Sequence, residues 1–180
     1  QRQMCIRDRT DSIPGIASAE GYTLAIGCDG VHVEAVTATG LFYAFQSLLQ
    51  LAEEGPEEGS WSLPYVDISD YPRFDYRGLH LDVSRHFRSK EFVMKQLDAM
   101  ARYKLNRFHW HLTDGAGWRL EIKRYSQLTE QTAYRPYPNW KAWWRGGRKY
   151  CRRDEAGAQG GYYTQDDVRE IVEHARKLHI

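Results

Sequence analysis

Cysteine is scarce in this chain and forms no pattern. Cys5, Cys28 and Cys151 make no C-x-x-C pair and no even-numbered framework, which argues against a zinc knuckle and against a disulfide scaffold. No run of 18 apolar residues occurs, so no membrane-spanning helix is expected. No secretory signal is visible at the first residues, an absence that excludes nothing. An excess of one charge is also missing. The 25 Lys and Arg against 24 Asp and Glu leave a net charge of +1, so no global field selects a nucleic acid or another polyanion.

The remaining composition is that of a globular chain, with 27% charged and 42% hydrophobic residues among 180. Aromatic residues reach 13%, including six tryptophans, which suit sugar stacking and plain cores equally. Residues 1–9 show no periodicity and are expected to be non-native or disordered, outside the fold. Residues 10–70 are expected to form a small α+β domain with its connector. Two alternating stretches, residues 21–30 and 31–36, place Tyr22, Leu24 and Ile26 on one face and Val31, Val33 and Ala35 on another. Asp29-Gly30 between them is a hairpin signal. Thr39 is expected to cap a helix carrying Leu41, Ala44, Phe45, Leu48, Leu49 and Ala52 at the 3.6-residue period, ended by Gly55-Pro56. Pro56, Pro64 and Pro72 keep residues 56–73 out of helix.

Residues 77–119 carry most of the information. They read R-G-L-H-L-D-V-S-R-H-F, then an amphipathic stretch, then N-R-F-H-W-H-L-T-D-G-A-G-W-R. Strands are expected over residues 76–83 and 107–112, both read as apolar on both faces, as a buried parallel sheet requires. Between them Ser89 can cap a helix whose Val93, Leu97, Met100 and Ala101 face the sheet. Strand, helix and strand make a βα repeat. In a (β/α)8 barrel the C-terminal strand ends line the active site, and here those ends carry Asp82, Arg85, His86, His109, His111 and Asp114. His109 and His111 invite a metal reading, but no third ligand is suitably spaced, so no metal is expected. A long segment, residues 113–161, follows. Thr164-Gln165-Asp166-Asp167 is then a capping box opening a helix with Val168, Ile171, Val172, Ala175 and Leu178 on one face.

Residues 131–153 contain no acid but seven cations, Arg135, Lys141, Arg145, Arg148, Lys149, Arg152 and Arg153, interleaved with Tyr134, Tyr137, Trp140, Trp143, Trp144 and Tyr150. Three readings remain open: a wall or lid beside a substrate pocket, an excursion that packs on the accessory domain or a partner subunit, or a nucleic-acid patch.

The strings Leu81-Asp82-Val83-Ser84-Arg85-His86-Phe87, His109-Trp110-His111-Leu112-Thr113-Asp114 and Gly117-Trp118-Arg119 resemble the first two barrel strands of glycoside hydrolase family 20, the β-N-acetylhexosaminidases. The resemblance reaches back through Tyr71-Pro72-Arg73-Phe74 and forward through Gly161-Tyr162-Tyr163-Thr164. It implies an α/β chain: a small accessory domain, then residues 71–180 as the start of a (β/α)8 barrel. At 180 residues the chain is too short for a whole barrel of about 250 and is expected to be a fragment. The implied parent is an exo-hydrolase that releases terminal β-linked N-acetylglucosamine or N-acetylgalactosamine. A non-catalytic carbohydrate-binding protein on a degenerate barrel is the alternative. No cofactor, metal or nucleic acid is implied, and the implied location is secreted, periplasmic or lysosomal.

Residue by residue, Arg85 is expected to bind the 3- and 4-hydroxyls of the terminal sugar through its planar fork. Read alone, it could equally pair with Asp82. Asp114 is the expected second substrate-side residue, although Gly115 follows where the family commonly has another aspartate. His111 and Trp118 are supporting candidates with plain core roles as alternatives. The implied mechanism is substrate-assisted. The 2-acetamido oxygen attacks the anomeric carbon, an aspartate orients it, and the adjacent glutamate is acid and then base. The only Asp-Glu dipeptide, Asp154-Glu155, lacks the family's surrounding pattern. The chain alone is therefore expected to be inactive.

Overall fold

The computed structural model describes residues 3–7, 12–55 and 59–180. The chain divides into two compact units. One takes residues up to Arg77 together with Ala101–Lys104 and His179, and the other takes Gly78–Met100, Leu105–Leu178 and Ile180.

The first unit is a four-stranded sheet with one helix. Strands β1 (Gln3–Arg7), β2 (Tyr22–Gly27), β3 (Gly30–Ala35) and β6 (Val66–Asp70) lie in the order β1-β3-β2-β6. A short ribbon, β4 (Glu53–Glu54) with β5 (Trp61–Ser62), stands apart. β2 runs antiparallel to β3 and β6, and β1 pairs parallel to β3. Of residues 1–9, expected outside the fold, residues 3–7 belong to the sheet and the rest lie outside the described residues. Met4, Cys5 and Ile6 form an unbroken apolar run, which a search for period-2 alternation passes over.

The β2–β3 hairpin turns on Cys28-Asp29, with Gly27 opposite Gly30, one residue ahead of the expected Asp29-Gly30. Tyr22, Leu24, Ile26, Val33 and Ala35 turn to one core, as their alternation requires. There they meet Tyr43 and Ala44 of helix α1 (Ala38–Leu51). The cap of α1 is Thr37, not Thr39. Thr37 is extended (φ −132°) and its hydroxyl accepts the Gly40 N–H at 3.2 Å, whereas Thr39 is already helical. Leu49 is exposed despite its apolar period. Lys104 closes the unit, its Nζ donating to Tyr22 Oη and Ser47 Oγ at 2.7 Å and to Asp70 Oδ2 at 2.8 Å.

The second unit is built on β7 (Gly78–Asp82) and β8 (Arg107–His111), paired parallel with Leu79 opposite Phe108 and Asp82 opposite His111. Helix α2 (Lys90–Arg102) connects them, with the Ser89 hydroxyl accepting the Phe92 N–H at 3.3 Å. The two strands are not apolar on both faces. Leu79, Leu81, Phe108 and Trp110 pack into a core with Val83, Val93, Leu97, Met100, Tyr163 and Ile171. Alternation sends the other side chains to the opposite face, where the His80 ring stacks on His109 at 4.4 Å and on His111 at 5.6 Å.

The long segment after β8 is structured nearly throughout. It holds the ribbon β9 (Thr113–Asp114) and β10 (Gly117–Trp118), helix α3 (Gln127–Thr132), strand β11 (Tyr134–Arg135), helix α4 (Trp140–Arg145) and strand β12 (Gln159–Gly160), which pairs with β11. Helix α5 (Gln165–Lys177) opens on the complete capping box of Thr164 and Asp167. Ile171 is buried, but Val172 is 49% exposed and lies off the face it was expected to share.

Candidate active site

The chemistry gathers where β7 and β8 end. Asp82, the last residue of β7, turns the chain by accepting the N–H groups of Ser84 at 2.9 Å and Arg85 at 3.1 Å on one carboxylate oxygen. That turn brings the Arg85 guanidinium back over the sheet end. Its Nη1 meets Asp82 Oδ2 at 3.1 Å, Asp114 Oδ2 at 2.6 Å and His111 Nε2 at 3.3 Å. His111 Nε2 is also 3.2 Å from Asp114 Oδ2. The structure thus brings Arg85, Asp114 and His111 together.

Arg85 pairs with Asp82 through Nη1, and its Nε and Nη2 make no hydrogen bond among the described residues. Asp114 is held below the usual carboxylate range, first by the Gly115 N–H, which donates to Oδ1 at 2.6 Å, and then by Arg85 and His111. No group of three or more His, Cys, Asp or Glu among the described residues could hold a metal ion.

Arg85 and Asp114 line a cavity of about 240 Å3. Its other wall comes from the basic aromatic segment, with Trp140, Trp143, Trp144, Arg148 and Tyr150. The Trp140 and Trp144 rings are 5.6 Å apart, and the Arg148 guanidinium lies 3.6 Å from the Trp144 ring centre. Residues 131–153 thus supply one side of this cavity, and the same segment buries Arg135 and Trp143. Trp118 stands elsewhere. It is half-buried, its indole N–H donates to Leu120 O at 2.7 Å, and it is not among the residues lining the cavity. His86 is exposed and makes no bond to the cluster.

Two arginines that sequence reasoning passed over frame the site. Arg119 is fully buried and meets no carboxylate among the described residues. It donates to Val83 O at 3.1 Å, Ser84 O at 3.0 Å, Gly161 O at 3.1 Å and Ala133 O. Burial pulls its pKa down to about 10. Close packing around it relies on Gly117, where a Cβ would sit 2.5 Å from the guanidinium carbon. Arg135 is 4% exposed and its Nη2 donates to Arg85 O at 2.6 Å. Arg119 stood within a quoted motif, but nothing in the motif marks it as buried. Arg135 is one of seven cations in the acid-free stretch, and no local signal separates it from the exposed six.

Residues 74–180 match the glycosyl hydrolase family 20 catalytic domain, and residues 3–71 match domain 2 of that family. The chain is 42% identical over 161 residues to a beta-hexosaminidase of Porphyromonas gingivalis, covering 87% of this chain and 19% of that protein. It is 37% identical over 172 residues to the N,N'-diacetylchitobiase of Vibrio harveyi, covering 92% of this chain and 18% of that one. Among solved structures, the exo beta-N-acetylglucosaminidase of Vibrio harveyi in complex with N-acetylglucosamine superposes with a TM-score of 0.81 at 34% identity, over 97% of this chain and 26% of that one. The chain therefore spans about a fifth of the length of the two sequence relatives. The matched stretches cover the sheet-and-helix unit and the βα units that carry the Arg85 cluster, and the chain belongs to glycosyl hydrolase family 20.

Proposed function

We propose that the chain supplies the terminal-sugar contacts of an exo-β-N-acetylhexosaminidase that removes β-linked N-acetylglucosamine or N-acetylgalactosamine by the substrate-assisted, retaining route. The observation that carries this reading is the Arg85 cluster. Two carboxylates and an imidazole converge on one guanidinium nitrogen, and the rest of the planar fork is left without a protein partner beside a tryptophan-walled cavity. A fork so held can donate to two neighbouring hydroxyls, the 3- and 4-positions of a pyranose. Asp114, kept ionised by the Gly115 N–H and by Arg85, can accept a hydroxyl proton on the same edge. His111 holds Asp114 in place. Trp140 and Trp144 offer ring faces to the sugar's C–H surface.

The hydrolytic step itself needs the acetamido-orienting aspartate and the acid/base glutamate. Asp154 and Glu155 do not fit these roles. Both are exposed, and Glu155 Oε1 is taken by the Arg152 N–H at 2.7 Å. The chain alone is accordingly expected to bind sugar without cleaving it.

The test is a titration of the pure chain with N-acetylglucosamine, followed by tryptophan fluorescence. Saturable binding that disappears in Arg85→Ala supports the assignment, and binding unchanged by that substitution removes it. Release of aryl alcohol from an aryl N-acetyl-β-glucosaminide by the pure chain would show that its own residues complete the chemistry.

A further inference from the structure

We propose that Arg135 and Tyr150 are positioning residues for this site, each gripping, through a main-chain carbonyl, the turn that presents one of the two sugar-contacting side chains. The inference rests on the reading of Arg85 and Asp114 as sugar contacts, and it assigns a purpose to the long segment after β8.

Arg85 stands on the turn beyond β7, and Asp114 ends β9, where Gly117 of β10 faces it across a two-residue hairpin turn. Arg119 already grips the Val83 and Ser84 carbonyls of the first turn, and two further tethers from the long segment fall at Arg85 itself and beside Asp114. Arg135 Nη2 donates to the carbonyl of Arg85 itself at 2.6 Å, and Tyr150 Oη donates to the carbonyl of Gly115. Gly115 is the residue whose N–H holds Asp114 Oδ1 at 2.6 Å. A Cβ at Gly115 would meet nothing within 4 Å, so packing does not fix this peptide, and glycine is the residue freest to wander. The tyrosine supplies the restraint that packing omits. Burial pushes the Tyr150 phenol above its usual value, so the neutral, donating form prevails at physiological pH.

Arg135 is costly to keep. It is 4% exposed, its Nε and Nη1 have no hydrogen-bond partner among the described residues, and its guanidinium lies 5.6 Å from the Trp143 ring centre. A buried cation without a carboxylate is disfavoured, and an apolar side chain of similar volume generally suits such a place better. A role in the site accounts for what stability alone does not. Trp143 and Tyr150 are themselves in contact, with ring centres 5.6 Å apart, so the two tethers form one continuous clasp.

The experiment uses the 180-residue chain and three variants, Tyr150→Phe, Arg135→Lys and Arg135→Met. Three quantities are read: the Asp114 carboxyl titration by carbon NMR, the Kd for N-acetylglucosamine, and the melting temperature. In Tyr150→Phe the ring stays and only the donor is lost. The Asp114 titration is expected to move up towards the ordinary carboxylate range, and Kd to rise about fivefold, the scale of one net hydrogen bond, with melting little changed. Arg135→Lys keeps a donor and is expected to retain more affinity than Arg135→Met. If the Asp114 titration and Kd are both unchanged in Tyr150→Phe while Arg85→Ala still abolishes binding, the positioning role is overturned and the sugar site stands. A lowered melting temperature with an unmoved titration also overturns it, by assigning Tyr150 to stability. A wild-type chain that binds no sugar overturns the reading of Arg85 and Asp114, and the titration still decides whether Tyr150 holds the turn.

Discussion

Arg85 and Arg119 show two uses of one side chain in the same unit. Arg85 is part-exposed and spends a single nitrogen on protein acids, so its remaining donors suit a ligand. Arg85→Ala is expected to weaken sugar binding by about 1.5–3 kcal/mol, the worth of a charge-assisted hydrogen bond. Arg85→Lys should restore little, because a point charge cannot replace a fork; equal affinity in the wild type and Arg85→Lys, measured by the same titration, would contradict the fork. Arg119 faces only carbonyls. Arg119→Met would leave the buried Val83, Ser84 and Gly161 carbonyls without this donor, while Ala133 O keeps the Gly161 N–H, and a loss of about 3 kcal/mol or more is expected in a urea melt. The sequence made Arg85 legible because its whole neighbourhood, D-V-S-R-H, is a recognisable string. It left Arg135 and Tyr150 illegible because their importance lies in what their tips reach, 50 and 35 residues away.

Among the elements, helix α5 offers the clearest measurement. Its capping box is complete, and Thr164→Ala is expected to cost about 1 kcal/mol, read as a shift of the unfolding midpoint. Asp167 adds a pH signature. The Lys90 ammonium first, then Thr164, hold its carboxyl below the ordinary range. Its folded pKa is therefore lower than its unfolded one, near 4. Between those two values the unfolded chain binds more protons, so the contribution is complete above about pH 4 and fades as pH falls through the depressed value. Asp167→Asn should flatten the acid limb of the stability curve, and an unaltered limb would dismiss the linkage. Elements of strong period, β2, β3, α1 and α2, could be read from sequence, and so could the α5 cap. Those fixed by partners could not. β1 owes its strand to β3, and the short pieces β9 to β12 owe theirs to local pairing around Arg119. At α1 two threonines stood two residues apart, and only the backbone angle decides which one caps.

For the molecule as a whole, the weak place is the two-stranded sheet. β7 and β8 pair only with each other among the described residues, so each offers an open edge, and open edges recruit other chains. The pure 180-residue chain is expected to self-associate as its concentration rises through the micromolar range, its melt broadening with it, while dilute chain keeps the midpoint on which the substitutions above are read. Sedimentation as a monomer through that range together with a reversible two-state melt would refute this.

Arg119 also bears on the order in which the chain assembles. Its acceptors lie 36, 35, 14 and 42 residues from it along the chain. A collapsed intermediate that sheltered this guanidinium before the Ala133 and Gly161 carbonyls had arrived would hold a dry, half-solvated cation, an unfavourable species. Early compaction around β7 and β8 alone is therefore discouraged, and the long segment must join in the step that closes the core. Contacts so distant in sequence slow that step. Refolding of the second unit should appear as one slow phase in which strand pairing and capture of the segment occur together.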